Sequence, residues 1–171
     1  MVKKVKETVQ REQIVVKLVI PGIPVPKQST KFVRRGNFVG TYKDMKVETY
    51  ENLIKIEAQK CIDKYGLKEL LGSNNTPLFS VIRIYLPKPS SKGKRVVFPC
   101  WKPDLDNLQK VIFDGLSNVL LENDSRICMI NVIKLYDDLP RTEIEIGELP
   151  NDIIFVKKLK EMSETRTEIE I

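Results

Sequence analysis

Lys102-Pro103-Asp104-Leu105-Asp106-Asn107-Leu108-Gln109-Lys110, continuing through Asp114 to Asn123-Asp124-Ser125, sets two carboxylates at a strand-to-helix junction. Pro103 biases Lys102 toward extended geometry, so Asp104 falls at the end of a strand. Asp106 or Asn107 then starts a helix, where short polar side chains cap free backbone N–H groups. The spacing predicts a helix over 105–121. Leu105, Leu108, Ile112, Gly115, Leu116 and Val119 share its core stripe. Asp106, Lys110 and Asp114 follow one another at i+4 on a second face. An ordinary ladder of surface ion pairs, worth a few tenths of a kcal/mol per pair, accounts for Lys110 and Asp114. It does not account for Asp104, nor for a ladder that abuts a basic segment.

Upstream of this stretch, 96–101 reads as a strand leading into the acidic turn. Before it, Lys88, Lys92, Lys94, Arg95 and Lys102 belong to a run from Arg83 with six basic residues and no acidic one. Residues 78–86 alternate as a strand. From the plausible cap Asp44 to Tyr65, Val47, Tyr50, Ile54, Ala58, Cys61 and Ile62 recur at helical spacing and define a core-facing scaffold helix. Residues 13–20 are β-branched and strand-like, ending at Pro21-Gly22, and Pro24 and Pro26 keep the next stretch extended. The following segment carries Lys27, Lys31, Arg34 and Arg35 with Phe32 and Phe38 between them. It reads as a loop suited to a phosphate backbone, or as a solvated β-hairpin. Downstream, 126–136 and 142–146 alternate as two antiparallel strands joined at Asp137-Asp138-Leu139-Pro140. Residues 153–162 suit a short helix. The last six residues repeat 141–146 letter for letter, and this repeat has no functional account. The domain expectation is a charged tail over 1–12, one domain over 13–150 and an extension over 151–171.

The chain has 171 residues, 42% of them hydrophobic and 30% charged, enough for one domain with a real core. Lys and Arg number 29 against 23 Asp and Glu, a formal charge of +6, which favours a polyanionic partner. The charged N-terminus lacks the apolar stretch of a signal peptide, and no apolar run is long enough to cross a bilayer. Cys61, Cys100 and Cys128, odd in number and widely spaced, read as buried reduced thiols of a cytoplasmic protein. Histidine is absent. Every histidine-dependent mechanism is thereby excluded, and with no Cys-x-x-Cys pair so is a zinc site. Catalysis is left to carboxylates, lysine and a hard cation. Magnesium suits clustered carboxylates, because it takes one or a few of them and keeps positions for phosphate oxygens. A bound divalent ion polarises a phosphodiester and generates hydroxide near neutral pH, and a nearby lysine stabilises the charge that builds in the transition state.

Asp124 is the third candidate ligand. A helix of about 16 residues is roughly 24 Å long, which sets Asp124 at the far end from Asp104. Three arrangements remain open: a shorter helix with the chain doubling back, a returning strand, or a meeting across a subunit interface.

The run Lys-Pro-Asp-Leu-Asp-Asn-Leu, then a lysine, Asp-Gly-Leu and Asn-Asp-Ser-Arg-Ile resembles the signature of the RusA family of Holliday-junction resolvases. With the early Pro-Gly-Ile-Pro-Val-Pro-Lys stretch, the resemblance covers residues 14–146. It implies an α/β (α+β) fold, a single small mixed sheet packed by two main helices, in a homodimer. It implies Asp104, Asp106 and Asp124 as metal-binding acids and Lys110 as the catalytic lysine, with Mg²⁺ as cofactor and Mn²⁺ as a substitute. It implies four-way junction DNA as substrate, cut by paired symmetric nicks, a division of labour that the two equivalent sites of a two-fold dimer fit. Lys27, Lys31, Arg34, Arg35, Lys88, Lys92, Lys94, Arg95 and Lys102 are the expected DNA-binding residues. The sequence departs from the family's Asp-Asp-Ser at Asn123. A non-catalytic branched-DNA or RNA-binding module is the alternative that Asn123 allows. A hydrolase of small phosphate compounds is a third, which basic segments of this extent disfavour.

Overall fold

The computed structural model describes residues 15–27, 31–36, 38–42, 44–91 and 96–150. The strands are β1 (Val15–Pro21), β2 (Lys31–Arg35), β3 (Phe38–Tyr42), β4 (Leu78–Pro87), β5 (Ile127–Asp137) and β6 (Arg141–Glu148). The helices are α1 (Met45–Tyr65) and α2 (Leu105–Leu116). A four-stranded sheet has the order β1-β6-β4-β5, and β2 pairs with β3 in a separate two-stranded ribbon. β4 and β5 are parallel, while β6 is antiparallel to both β1 and β4. The fold is therefore α+β with a mixed sheet, as expected, plus one ribbon.

Alternation builds the sheet. Val16, Leu18 and Ile20 of β1, Ile82 and Ile84 of β4 and Ile144 and Ile146 of β6 are all buried on one face. α1 turns Val47, Tyr50, Ile54, Ala58 and Cys61 into the same core. Its start follows the expected cap, with the Asp44 carboxylate accepting the Lys46 N–H at 2.9 Å. Gly66, left-handed at φ 61°, ends it. α2 adds Leu108, Val111, Ile112, Phe113 and Leu116. The opposite sheet face carries polar side chains, among them an Arg83–Glu145 pair at 2.8 Å and a Lys17–Glu145 pair at 3.3 Å.

Three expectations fail for physical reasons. The segment 96–101 is not a strand. Pro99 cannot donate to a ladder, and the segment reaches β5 through one backbone bond, Tyr136 N–H to Val97 O at 2.8 Å. The helix expected over 105–121 stops at Leu116. The Ser117 N–H and hydroxyl both donate to the Phe113 carbonyl, at 2.9 and 2.8 Å, and Asn118 turns left-handed at φ 61°. Leu120 and Leu121 are still buried, but through a turn tied to Leu71 rather than a helix face. β5 and β6 do run in opposite directions, yet they are not a hairpin, because β4 lies between them.

The thiol expectation holds only for Cys61. Cys100 and Cys128 are exposed. Among the described residues no helix is long and apolar enough to cross a membrane. The expected helix over 153–162, the charged tail over 1–12 and the repeated Arg166–Ile171 lie outside the described residues.

Candidate active site

Two lysines, Lys27 and Lys134, tie α2 and the turn before it in place. Gly22, at φ 93°, turns the chain out of β1, and its N–H reaches the Pro140 carbonyl at 3.1 Å. The loop that follows, with Pro24 and Pro26, ends with the Lys27 N–H on the Asn107 carbonyl at 2.9 Å. The Lys27 ammonium closes the clamp by pairing with the Asp114 carboxylate. From the other side, the Lys134 ammonium donates to the Trp101 carbonyl at 2.9 Å and to the Pro103 carbonyl at 2.8 Å. That lysine holds the last turn before Asp104.

Sequence reasoning missed Lys134. Its signal was its phase: in β5, Ile130, Val132, Lys134 and Tyr136 fall on one face, and a lysine in an otherwise apolar series needs acceptors. The Lys27–Asp114 pair gives Asp114 a structural role and commits a lysine that was expected to meet DNA.

Asp104 occupies the N-cap of α2 with φ −70° and ψ 142°, yet its side chain makes no capping hydrogen bond. The backbone dipole favours a negative group at a helix N-terminus, and this carboxylate is not consumed by the cap. Asp106 lies in the first turn and accepts from the Lys110 ammonium at 3.0 Å. That hydrogen bond comes first among the causes that hold the Asp106 carboxyl below the usual carboxylate range. The charge of Lys110 and nearby backbone N–H groups act in the same direction. Both side chains remain exposed.

Asp104, Asn107, Lys27 and Lys102 are the charged and amide side chains lining a cavity of about 650 Å³. The rest of its lining is Ile23, Leu86, five prolines and Tyr136.

Asp124 opens a single turn of 3₁₀ helix, Asp124–Arg126, at the start of β5. The Asn123 side chain accepts the Ser125 N–H at 2.9 Å and caps that turn. This explains the departure at Asn123 structurally and leaves the Asp124 carboxylate exposed. One chain does not bring the three acids together: among the described residues no three His, Cys, Asp or Glu side chains gather to hold a metal. The topology gives the reason. α2 connects the end of β4 to the start of the parallel strand β5, so its two ends lie at opposite ends of the sheet. Asp104 is held beside Lys134 and Tyr136, whereas Asp124 precedes Ile127. Nine residues of strand span about 30 Å.

Lys102 is exposed and Lys88 half-buried. Lys31, Arg34 and Arg35 lie on β2, with their side chains outside the described set. Lys92, Lys94 and Arg95 lie outside the described residues.

A mixed α+β sheet that presents a pair of carboxylates at the mouth of a helix, beside lysines and an apolar-backed cavity, defines the class. The chain matches the family Endodeoxyribonuclease RusA over residues 21–147. It belongs to that family. It is also similar to YqaN of Bacillus subtilis (strain 168), a protein described as uncharacterized, at 30% identity over 83 residues. That match covers 43% of this chain and 58% of YqaN.

Proposed function

We propose that this protein is a divalent-metal-dependent endonuclease that resolves four-way DNA junctions by paired nicks, working as a homodimer with residues 13–150 as its catalytic unit. The observation that carries the reading is Asp104, a carboxylate at a helix N-cap that does not cap, adjoining Asp106 and a cavity lined by two lysines. Hard carboxylate oxygens, in a chain without histidine, fit Mg²⁺, or Mn²⁺ in its place. Asp104 and Asp106 would hold the ion, which supplies a polarised phosphate and an ionised water when bound.

The chain's own residues do the rest. Lys110 keeps Asp106 ionised and sets an ammonium beside the scissile group, where it stabilises the negative charge of the leaving oxygen. Lys102 draws the backbone toward the cavity. Lys31, Arg34, Arg35, Lys88, Lys92, Lys94 and Arg95 extend that attraction along the DNA arms. Binding therefore weakens steeply with salt.

The strand edge supports the dimer. β5 is the outer strand of the sheet, eleven residues long, with Ile130 and Ile133 exposed. Apart from the Tyr136 N–H bond to Val97, that edge has no partner strand among the described residues, and an edge of that length invites one. Antiparallel pairing with β5 of a second copy sets the start of one strand beside the end of the other. Asp124 of each copy then approaches Asp104 and Asp106 of its neighbour, completing two equivalent sites for two opposed strands.

A synthetic four-way junction, incubated with and without Mg²⁺ and mapped on all four strands, tests the activity. Symmetric paired nicks are expected with metal, and none from Asp106→Asn, which still binds. Junction binding without any nicking supports the non-catalytic alternative. Mixing Asp106→Asn with Asp124→Asn subunits tests the shared site. Each variant alone is inactive, whereas the mixed dimer regains one intact site and nicks one strand. No recovery in proven mixed dimers refutes the exchange of Asp124.

A further inference from the structure

The cavity beside Asp104 has a chemistry that metal binding and backbone attraction do not use. We propose that it receives one unstacked nucleobase, the base flanking the scissile phosphate, and that this restricts cutting to branch points. The inference rests on the nuclease reading above and adds a subsite to it.

Position argues first. Asp104 belongs to the cavity wall, so a phosphodiester held at the acidic pair lies at the cavity mouth. Neighbouring nucleotides on one strand are separated by only about 3.4 Å of rise. Only the nucleotide next to that phosphate reaches inside.

The lining argues second. Ile23, Pro24, Pro26, Pro87, Pro89 and Tyr136 make broad apolar walls. Such walls reject a phosphate, which needs several donors, and suit the flat face of a base, whose stacking tolerates any sequence. The polar side chains of the lining are Lys27, Lys102, Asp104 and Asn107, with the Tyr136 hydroxyl. Of the two lysines there, Lys27 is engaged by Asp114. The Asn107 amide, donor and acceptor at once, and the Lys102 ammonium are left to meet the hydrogen-bonding edge of a base.

Construction argues third. Five of the lining residues are prolines, and the loop bearing two of them is fixed at both ends, by Gly22 N–H to Pro140 O and Lys27 N–H to Asn107 O. A preformed cavity of about 650 Å³ falls in the usual range for ligand sites and needs no ordering on binding. Taking a base out of an intact duplex stack is costly, and the cost is least where stacking is already interrupted. At a four-way branch point the stack is interrupted. The cavity therefore converts a shape of DNA into a rate of cutting.

The test places a single abasic nucleotide at successive positions around the nick in an otherwise identical junction. Single-turnover nicking is measured for the wild type and for Ile23→Trp. Ile23 is 60% exposed, so the new ring enters the cavity mouth without disturbing the core. With the wild type, the abasic nucleotide is expected to slow nicking about tenfold or more at the one position flanking the cut, and little elsewhere. Ile23→Trp is expected to slow nicking of the complete junction by a similar factor. On the junction lacking the flanking base it returns to the wild-type rate for that substrate. A misfolded variant shows no such return. Nicking that is indifferent to every abasic position, or Ile23→Trp acting like the wild type on complete junctions, overturns the base site while leaving the nuclease reading intact. Failure of the wild type to nick any junction overturns both.

Discussion

Gly115→Ala tests the packing that holds the acidic helix. Gly115 is buried in α2 where that helix crosses α1. A Cβ built on it would lie 2.8 Å from both Cβ and Cγ2 of Ile54 and 3.2 Å from its Cδ1. Ile54 is β-branched and fully buried, so it has few alternative rotamers and no room to withdraw. Two opposing effects enter. Alanine in a helix interior is favoured over glycine by about 1 kcal/mol. Overpacking a tight contact costs about 1–3 kcal/mol. Contacts below 3 Å to a Cβ, which moves only with its backbone, select the upper part of that range. The net expectation is a loss of about 1–2 kcal/mol, with α2 displaced outward and nicking reduced with it. Urea denaturation of both proteins measures the loss as a lower midpoint at unchanged slope. Ile54→Ala costs about 2–5 kcal/mol by itself. In that background two of the three close contacts vanish, so Gly115→Ala becomes less harmful and the pair is non-additive by about 1 kcal/mol. A stabilised Gly115→Ala protein, or strict additivity, refutes the packing argument.

Other perturbations give separate readouts. Lys134→Met removes both carbonyl contacts at Trp101 and Pro103 and is expected to cost about 2 kcal/mol. It also lowers the nicking rate more than junction affinity, and equal effects on both contradict a positioning role. Lys110→Ala removes the main cause of the low Asp106 pKa. The depressed carboxyl loses its charge only as pH falls through its folded value, so in the variant protonation occurs at higher pH. The Asp106 carboxyl-carbon resonance follows this directly, and an unshifted titration negates the assignment. Burial, offset in part by the hydrogen bond with Thr142, pushes the Tyr50 phenol up to about 12 from an ordinary 10.0. The unfolded chain then loses that proton first, and stability falls as pH rises from 10 to 12. Tyr50→Phe is expected to flatten this alkaline loss, measured as the difference between the two unfolding curves.

What could be read from the sequence was local. The Asp44 cap, the stripe Val47-Tyr50-Ile54-Ala58-Cys61 and the alternation of β4 depend on neighbours within a turn or a strand, and they stand as read. The end of α2 did not follow from periodicity, because Leu120 and Leu121 are buried as a helix would bury them, by a turn that closes on Leu71. The order β1-β6-β4-β5 was hidden, since adjacency of strands distant in sequence leaves no local mark. Asp104 and Asp106 were legible as a pair because only Leu105 separates them in the chain. Lys110 was legible by its i+4 spacing. The separation of Asp124 depends on the parallel pairing of β4 and β5, a non-local fact. Lys27 was read by its charge alone, and its partner Asp114 is 87 residues away.

The sheet face turned away from the helices sets how DNA meets the protein. Lys17, Arg83 and Arg141 lie there with Asp137, Glu143 and Glu145, three charges of each sign. Arg141 also covers the Tyr85 ring, 3.8 Å from its centroid. These charges satisfy one another at short range, so beyond a Debye length of about 8 Å the face exerts almost no pull. A net charge of +6 must then be expressed elsewhere on the surface. An approaching polyanion finds one silent side, and its collisions are sorted by orientation before any contact is made.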